Sequence, residues 1–176
     1  MCLLATFLYS ELFFWSMKTK IVIGSDHAGF KLKEKLKEVF SGNYNVVDVG
    51  TNSEESADYP DYAVKVGEKI ADKGSKSKGD FGILVCGSGI GMSIAANKVP
   101  GIRAALCRDE LDAEMSRRHN NANVVCLGER VSSNDKAIKI IKKFLDTEFE
   151  GNKKGGERHK RRAEKFKEIE KMFCKC

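Results

Sequence analysis

The sequence predicts an α/β fold in three layers, with a five-stranded parallel sheet between helices. Three observations predict it. Five short apolar runs alternate with five helical patterns, as strand–helix–strand units do. The runs are rich in Val and Ile, as expected of parallel strands covered on both faces. The run Phe81–Cys86 leads into Gly87-Ser88-Gly89-Ile90-Gly91 and then into helix formers. That order reads as strand, tight anion-binding turn and helix start.

In chain order, Lys20–Ser25, Tyr44–Gly50, Phe81–Cys86, Ile102–Cys107 and Asn123–Gly128 read as strands. Between them, Phe30–Phe40, Asp61–Lys73, Ile90–Asn97 and Asp109–Arg118 carry i, i+3/i+4 apolar spacing or strong helix formers. Asn134–Leu145 is the clearest amphipathic helix, with Ala137, Ile138, Ile140, Ile141, Phe144 and Leu145 as its apolar residues. Ser133-Asn134-Asp135 makes a good cap for its start. Lys153-Lys154-Gly155-Gly156 interrupts the pattern. Beyond it, Ala163, Phe166, Ile169 and Phe173 recur at helical spacing among charges. Residues 151–176 are therefore expected to form a basic helical tail packed on the domain or on a partner subunit, and residues 17–150 to form the domain itself. The segment Met1–Ser16 is apolar, lacks Lys and Arg, and is short for a membrane span. It has no signal-peptide layout and is expected to stand outside the fold, with a targeting or anchoring role as the alternative.

Charge and cysteine usage exclude several functions. The net charge of +6 belongs to the tail, where residues 151–176 hold ten Lys/Arg against four Glu. The body is neutral, which argues against a nucleic-acid face on it; no membrane partner is expected either. The six cysteines suggest no disulfide framework. Cys86, Cys107 and Cys126 lie at the ends of apolar runs, the usual place of a small buried thiol. No CxxC or HExxH occurs, and Cys174-Lys175-Cys176 lacks zinc-ligand spacing, so no metal is expected. A reducing, cytoplasmic compartment fits.

In an open α/β sheet the reactive edge is the carboxyl end of the strands. That edge collects Asp26-His27, Thr51 to Tyr62, Cys86 to Gly91, Arg108-Asp109 and Glu129-Arg130. A thiol entering a turn of backbone amides is favoured as thiolate, so Cys86 offers a base or nucleophile beside an anion site. Asp26-His27 reads either as a helix cap with a surface imidazole or as a polar pair that positions hydroxyls or phosphate. His119 ends a helix and precedes a strand, which puts it on the opposite edge, roughly 15 Å away for a five-residue strand. It should not meet Cys86 of its own chain; if both act together, two copies share the site. Arg158 and Arg162 stand at i, i+4, a spacing that suits a phosphate grip or a solvated face. A cysteine-phosphatase loop needs Arg where Met92 stands, and the esterase elbow needs Gly where Cys86 stands. Gly87, Gly89 and Gly91 give GxGxG, not GxGxxG, so a nucleotide-binding reading stays open on Asp109 alone.

Taken together, nine segments resemble the B-type ribose-5-phosphate isomerase family and its galactose- and allose-6-phosphate relatives. They are Gly24–Phe30, Asp48–Thr51, Asp58–Pro60, Cys86–Gly91, Ala95–Lys98, Gly101–Ala104, Arg118–Asn120, Ala122–Val124 and Gly128–Val131. The resemblance implies a Rossmann-like three-layer fold and a homodimer or homotetramer with its sites between subunits. It implies an isomerase of the non-oxidative pentose phosphate pathway that needs no cofactor. Cys86 would move a proton between C2 and C1 of the sugar, and His119 would help open the furanose ring. Gly87, Ser88, Gly89, Ile90 and Gly91 would hold the enediolate. Asp26, His27, Tyr59 and Asn120 would contact the sugar, and Arg130, Arg158, His159 and Arg162 the phosphate. Ser88 stands where many members have Thr, which keeps the hydroxyl. Cys86 together with His119 points to a pentose phosphate substrate; a hexose 6-phosphate, or a non-catalytic sugar-phosphate or nucleotide sensor, are the alternatives.

Overall fold

The computed structural model describes residues 19–71 and 80–173. The Met1–Ser16 extension and the Cys174–Cys176 end lie outside the described residues. Strands β1 (Lys20–Ser25), β2 (Asn45–Asp48), β3 (Phe81–Cys86), β4 (Ala104–Leu106) and β5 (Val124–Gly128) form one sheet. Its order is β2-β1-β3-β5-β4 and every pairing is parallel. The helices are α1 (Phe30–Phe40), α2 (Tyr59–Ala71), α3 (Ile90–Ala96), α4 (Glu110–Asn120), α5 (Asn134–Asp146) and α6 (Glu157–Phe173).

Side-chain alternation builds two cores from one sheet. Ile21, Ile23, Phe81, Ile83 and Val85 face one layer with Leu32, Leu36, Ala113, Ile140 and Phe144, which come from α1, α4 and α5. Val22, Leu84, Cys86 and Cys126 face the other with Ala63, Val66, Met92 and Ala96, from α2 and α3. Successive strand residues point to opposite faces, so the continuous apolar runs of β1, β3 and β5 are buried on both sides. The helix ends are held by specific groups. Ser133 accepts from the Lys136 N–H at the start of α5, and Asp109 from the Asp112 N–H at the start of α4. Gly29 has no side chain to cap α1, and the Leu32 N–H donates instead to Glu129 Oε2, at 2.9 Å. Lys33, 1% exposed, is neutralised by Glu34 and Asp48.

The element bounds differ from the sequence expectation in instructive places. α2 starts at Tyr59, before Pro60, because a proline is tolerated in a first helical turn where its missing N–H would be unpaired anyway. α4 runs on to Asn120 and stops at Asn121, whose φ of 49° is a left-handed cap. β4 is shorter than Ile102–Cys107: it is an edge strand paired with β5 alone, and the Ile102 N–H turns back to Val99 O. α6 packs on a short 3₁₀ turn, Glu150–Asn152, and on α4; Glu170 accepts from the Gly101 N–H at 2.8 Å. Among the described residues no helix is long and apolar enough to cross a membrane.

This topology positions the site. The chain leaves β1 toward β2 on one side and returns to place β3 on the other. The carboxyl ends of β1 and β3 therefore flank a switch point, where open α/β sheets bind ligands.

Candidate active site

A cleft of about 450 Å³ opens at that switch point, lined by Asp26, His27, Ala28, Tyr59, Cys86, Gly87, Ser88, Gly91, Arg130 and Val131. It is large enough for a sugar-sized ligand. Eight of the residues named from the sequence meet here. β1 delivers Asp26 and His27, β3 delivers Cys86 and the glycine turn, and β5 delivers Arg130. Register explains the convergence: Ser25 pairs Val85, and Cys86 pairs Gly128, so three strand ends lie side by side.

The turn after β3 is built around sulfur. Cys86 is only 4% exposed but borders the cleft. The Gly89 N–H donates to Cys86 Sγ at 3.1 Å, and the Glu129 N–H ties Cys86 O to β5 at 2.9 Å. The Gly89 amide is thus committed to the thiol. Gly89 has φ +78°, in the left-handed region, and a Cβ there would lie 2.9 Å from the Leu127 carbonyl carbon. Gly91 is needed for close approach, since a Cβ would lie 2.7 Å from Tyr59 Cζ. The tyrosine ring therefore rests on the turn. Ile90 begins α3 and is exposed beside it.

Asp26 caps a turn and faces the cleft. Its Oδ1 accepts from the Ala28 and Gly29 N–H groups at 3.0 and 3.1 Å, capping the 3₁₀ turn His27–Gly29, and the residue also lines the cleft. Burial pushes its carboxyl up from the usual range, against the lowering by His27, the two amides and Arg130. His27 Nδ1 faces the Ala57 backbone, 3.1 Å from its N and 3.3 Å from its O, which fixes that ring.

The remaining candidates lie elsewhere. His119 ends α4 and leads to the start of β5, so it stands at the amino edge of the sheet, away from its own chain's Cys86. There it stacks on His159, with ring centroids 4.3 Å apart and planes 7° apart. Both Nε2 atoms lie 3.6 Å from Glu150 Oε2, and Arg118 Nε donates to Glu150 Oε1 at 2.7 Å. Arg158 Nε donates to His159 Nε2 at 3.0 Å. Burial, then the charges of His119, Arg158 and Arg162, hold the His159 imidazole below its ordinary value, although Glu150 opposes them. Asn120 lines a separate groove with Ala104, Ser116, Phe166 and Ile169. Sequence reasoning missed Glu150, which has no periodic position and joins Arg118 from 32 residues away; a carboxylate beside an Arg-His cluster is the only signal it gives.

His119, Glu150 and His159 bring one potential metal-ligand atom each within 4.8 Å of one another. Arg118 and Arg158 already occupy the carboxylate and the His159 nitrogen, and their charge opposes a cation there. What the amino edge offers instead is a cationic, imidazole-bearing patch suited to an anion.

Comparisons with known proteins follow the same lines. The family model described as Ribose/Galactose Isomerase matches residues 21–166. The chain is 41% identical over 152 residues to ribose-5-phosphate isomerase B of Escherichia coli (strain K12), covering 86% of this chain and 96% of the relative. It is also 41% identical over 138 residues to D-erythrulose-4-phosphate isomerase 2 of Mycolicibacterium smegmatis, covering 76% and 88%. The solved structure of Clostridium thermocellum ribose-5-phosphate isomerase B superposes with a TM-score of 0.80 at 47% identity, covering 88% of this chain and 99% of that one.

Proposed function

On the premise that this chain belongs to the ribose/galactose isomerase family, we propose that it interconverts D-ribose 5-phosphate and D-ribulose 5-phosphate through an enediolate. The observation that carries the reading is Cys86, held by the Gly89 amide at the floor of a cleft with Asp26, Tyr59 and Arg130 on its walls. Such a site suits removal of a C–H proton next to a carbonyl. The base sits in a largely buried turn, whose backbone amides would stabilise the negative charge that develops on the enediolate oxygen.

The steps balance on the groups present. The anomeric hydroxyl loses a proton to His119, the C1–O4 bond breaks, C1=O forms and the ring oxygen is protonated. The Cys86 thiolate then takes the C2 proton, and the electron pair forms C1=C2 with the charge on O1. The thiol returns its proton to C1, while the O2 hydroxyl proton passes to O1 and C2=O forms. The phosphate is remote from these atoms; its binding energy serves positioning. Arg130, Arg158 and Arg162 are the candidates to hold it; His159, expected among them from the sequence, is buried with its Nε2 taken by Arg158 and stands behind them instead.

His119 and Cys86 occupy opposite sheet edges, so this chemistry requires two copies, each lending its amino edge to the other's cleft. A homodimer is the smallest assembly that closes the site.

A coupled assay on ribose 5-phosphate, allose 6-phosphate and erythrulose 4-phosphate tests the reading. The pentose is expected to be the best substrate. The M. smegmatis relative's name makes the four-carbon sugar the informative competitor. Cys86→Ala is expected to keep ribose 5-phosphate binding and lose turnover. Folded, dimeric wild-type protein without activity on ribose 5-phosphate overturns the proposal and leaves a sensor or another sugar phosphate.

A further inference from the structure

At the amino edge one carboxylate stands between two imidazoles and a guanidinium. Glu150 Oε1 accepts from Arg118, which locks the carboxylate to α4. Glu150 Oε2 lies 3.6 Å from both His119 Nε2 and His159 Nε2. The two histidines are not equivalent toward it. His159 Nε2 accepts the Arg158 Nε–H, so its lone pair is committed and its proton sits on Nδ1, a buried atom without a hydrogen-bond partner. His159 therefore presents no N–H to Glu150. The carboxylate oxygen is left for His119, which is 35% exposed in its side chain and meets, besides Glu150, the face of His159.

We propose that Glu150 is a positioning residue: with His159 as a stacking plate, it orients the His119 imidazole and holds its proton on Nε2. A carboxylate near one ring nitrogen favours the proton there and frees the other nitrogen as the base. Nδ1 of His119 is then the atom that takes the anomeric hydroxyl proton. His159 stays neutral in its stacked place, which suits a plate against another imidazole better than a second positive charge would. Glu150 acts through His119 and touches no reacting atom. Its position is set by the 3₁₀ turn Glu150–Asn152, against which α6 packs.

The kinetic part of this inference rests on the isomerase reading above; the tautomer part does not. Ribulose 5-phosphate carries its phosphate on O5 and cannot close a five-membered ring. Exchange of its C1 hydrogen with solvent therefore needs Cys86 but no ring step. Glu150→Ala is expected to lower turnover of ribose 5-phosphate by about tenfold to a hundredfold, the scale of a misplaced catalytic group. Its C1 exchange on ribulose 5-phosphate is expected to stay within about threefold of wild type. Glu150→Gln has a single carbonyl oxygen, which Arg118 claims; its amide then faces His119, so turnover should stay low although the Arg118 contact is kept. The chain has three histidines, so long-range ¹H–¹⁵N NMR resolves each tautomer. Wild-type His119 should be wholly the Nε2–H form at pH 8, and Glu150→Ala should relax to the tautomer mixture of a free imidazole, with a measurable Nδ1–H share.

Parallel loss of exchange and turnover in Glu150→Ala, or wild-type turnover in it, overturns the proposal. A wild-type His119 carrying its proton on Nδ1 overturns it without any variant. Failure of the wild-type protein to act on ribose 5-phosphate would instead strike the isomerase reading, while the NMR result still decides the role of Glu150.

Discussion

Two glycines separate backbone strain from collision in the sulfur-binding turn. Gly89 and Gly155 share nearly the same left-handed backbone, φ +78° and +86°. A Cβ at Gly155 would meet nothing within 4 Å. Gly155→Ala therefore carries only the cost of a left-handed alanine, about 1.5 kcal/mol, or about 4 °C in thermal midpoint for a chain of this size. A Cβ at Gly89 would lie 2.6 Å from Leu106 Cδ1, 2.9 Å from the Leu127 carbonyl carbon and 3.0 Å from its oxygen. The leucine tip can rotate away, but the Leu127 backbone is locked in β5 between two strands. Overpacking against it adds about 2 kcal/mol, for a total near 3.5 kcal/mol and a fall of about 10 °C. The turn must also shift, which draws the Gly89 N–H off Cys86 Sγ. A hydrogen bond to a charged sulfur is worth about 2 kcal/mol, so its loss should lower kcat by about thirtyfold. The assay is thermal unfolding of both variants, then initial rates on ribose 5-phosphate at a temperature below both midpoints. Gly155→Ala should turn over like wild type. Equal midpoint losses in the two variants, or a Gly89→Ala variant with wild-type kcat, would refute the argument that this turn is shaped around the sulfur.

Three further outcomes follow from placement and charge. Cys86→Ala and His119→Ala are each expected to be inactive, and mixing them should recover about one quarter of wild-type activity. Random exchange puts half the chains in mixed dimers with one intact site of two; no recovery after proven subunit exchange removes the shared site. Burial pushes the Asp48 carboxyl up, but hydrogen bonds from Lys33, Lys37 and the Gly50 N–H outweigh it and hold the group below its ordinary value. Its stabilising contribution is therefore present above about pH 4 and fades as pH falls through the lower folded value. The difference in Tm between wild type and Asp48→Asn should be largest near neutral pH and close in acid; a gap independent of pH rejects the pairing. Burial, chiefly, pushes the Cys107 thiol up to about 12 and Cys126 well above its ordinary value. Iodoacetamide at pH 8 should label Cys86, which borders the cleft, ahead of both, as read by peptide mass mapping.

The order of the elements was legible because each depends on local pattern. The apolar runs of β1 and β3 and the cap at Ser133 need no distant partner to be recognised. The cleft was legible for a topological reason: Asp26, Cys86 and Arg130 each follow a strand's carboxyl end, and a parallel sheet brings those ends to one edge. The same reasoning separates His119 from Cys86, since a residue preceding β5 must lie at the other edge. What pattern could not supply were contacts between residues whose only relation is tertiary. Glu129 caps α1 from 97 residues away, and nothing in Phe30–Phe40 announces that its first turn lacks a local cap. Glu150 and the ring stack arise because α6 folds back over the end of α4. The Arg158–Arg162 spacing indicated a cationic face, yet the carboxylate beside its histidine comes from a turn outside the helix. The difference has one physical origin. Strand direction and helical period place residues relative to their own element, while the carboxylates that orient and neutralise buried or clustered cations are recruited from whichever loop passes near. A cleft whose lining lies on strand ends can thus be read from a sequence before the groups that distant loops bring to it can.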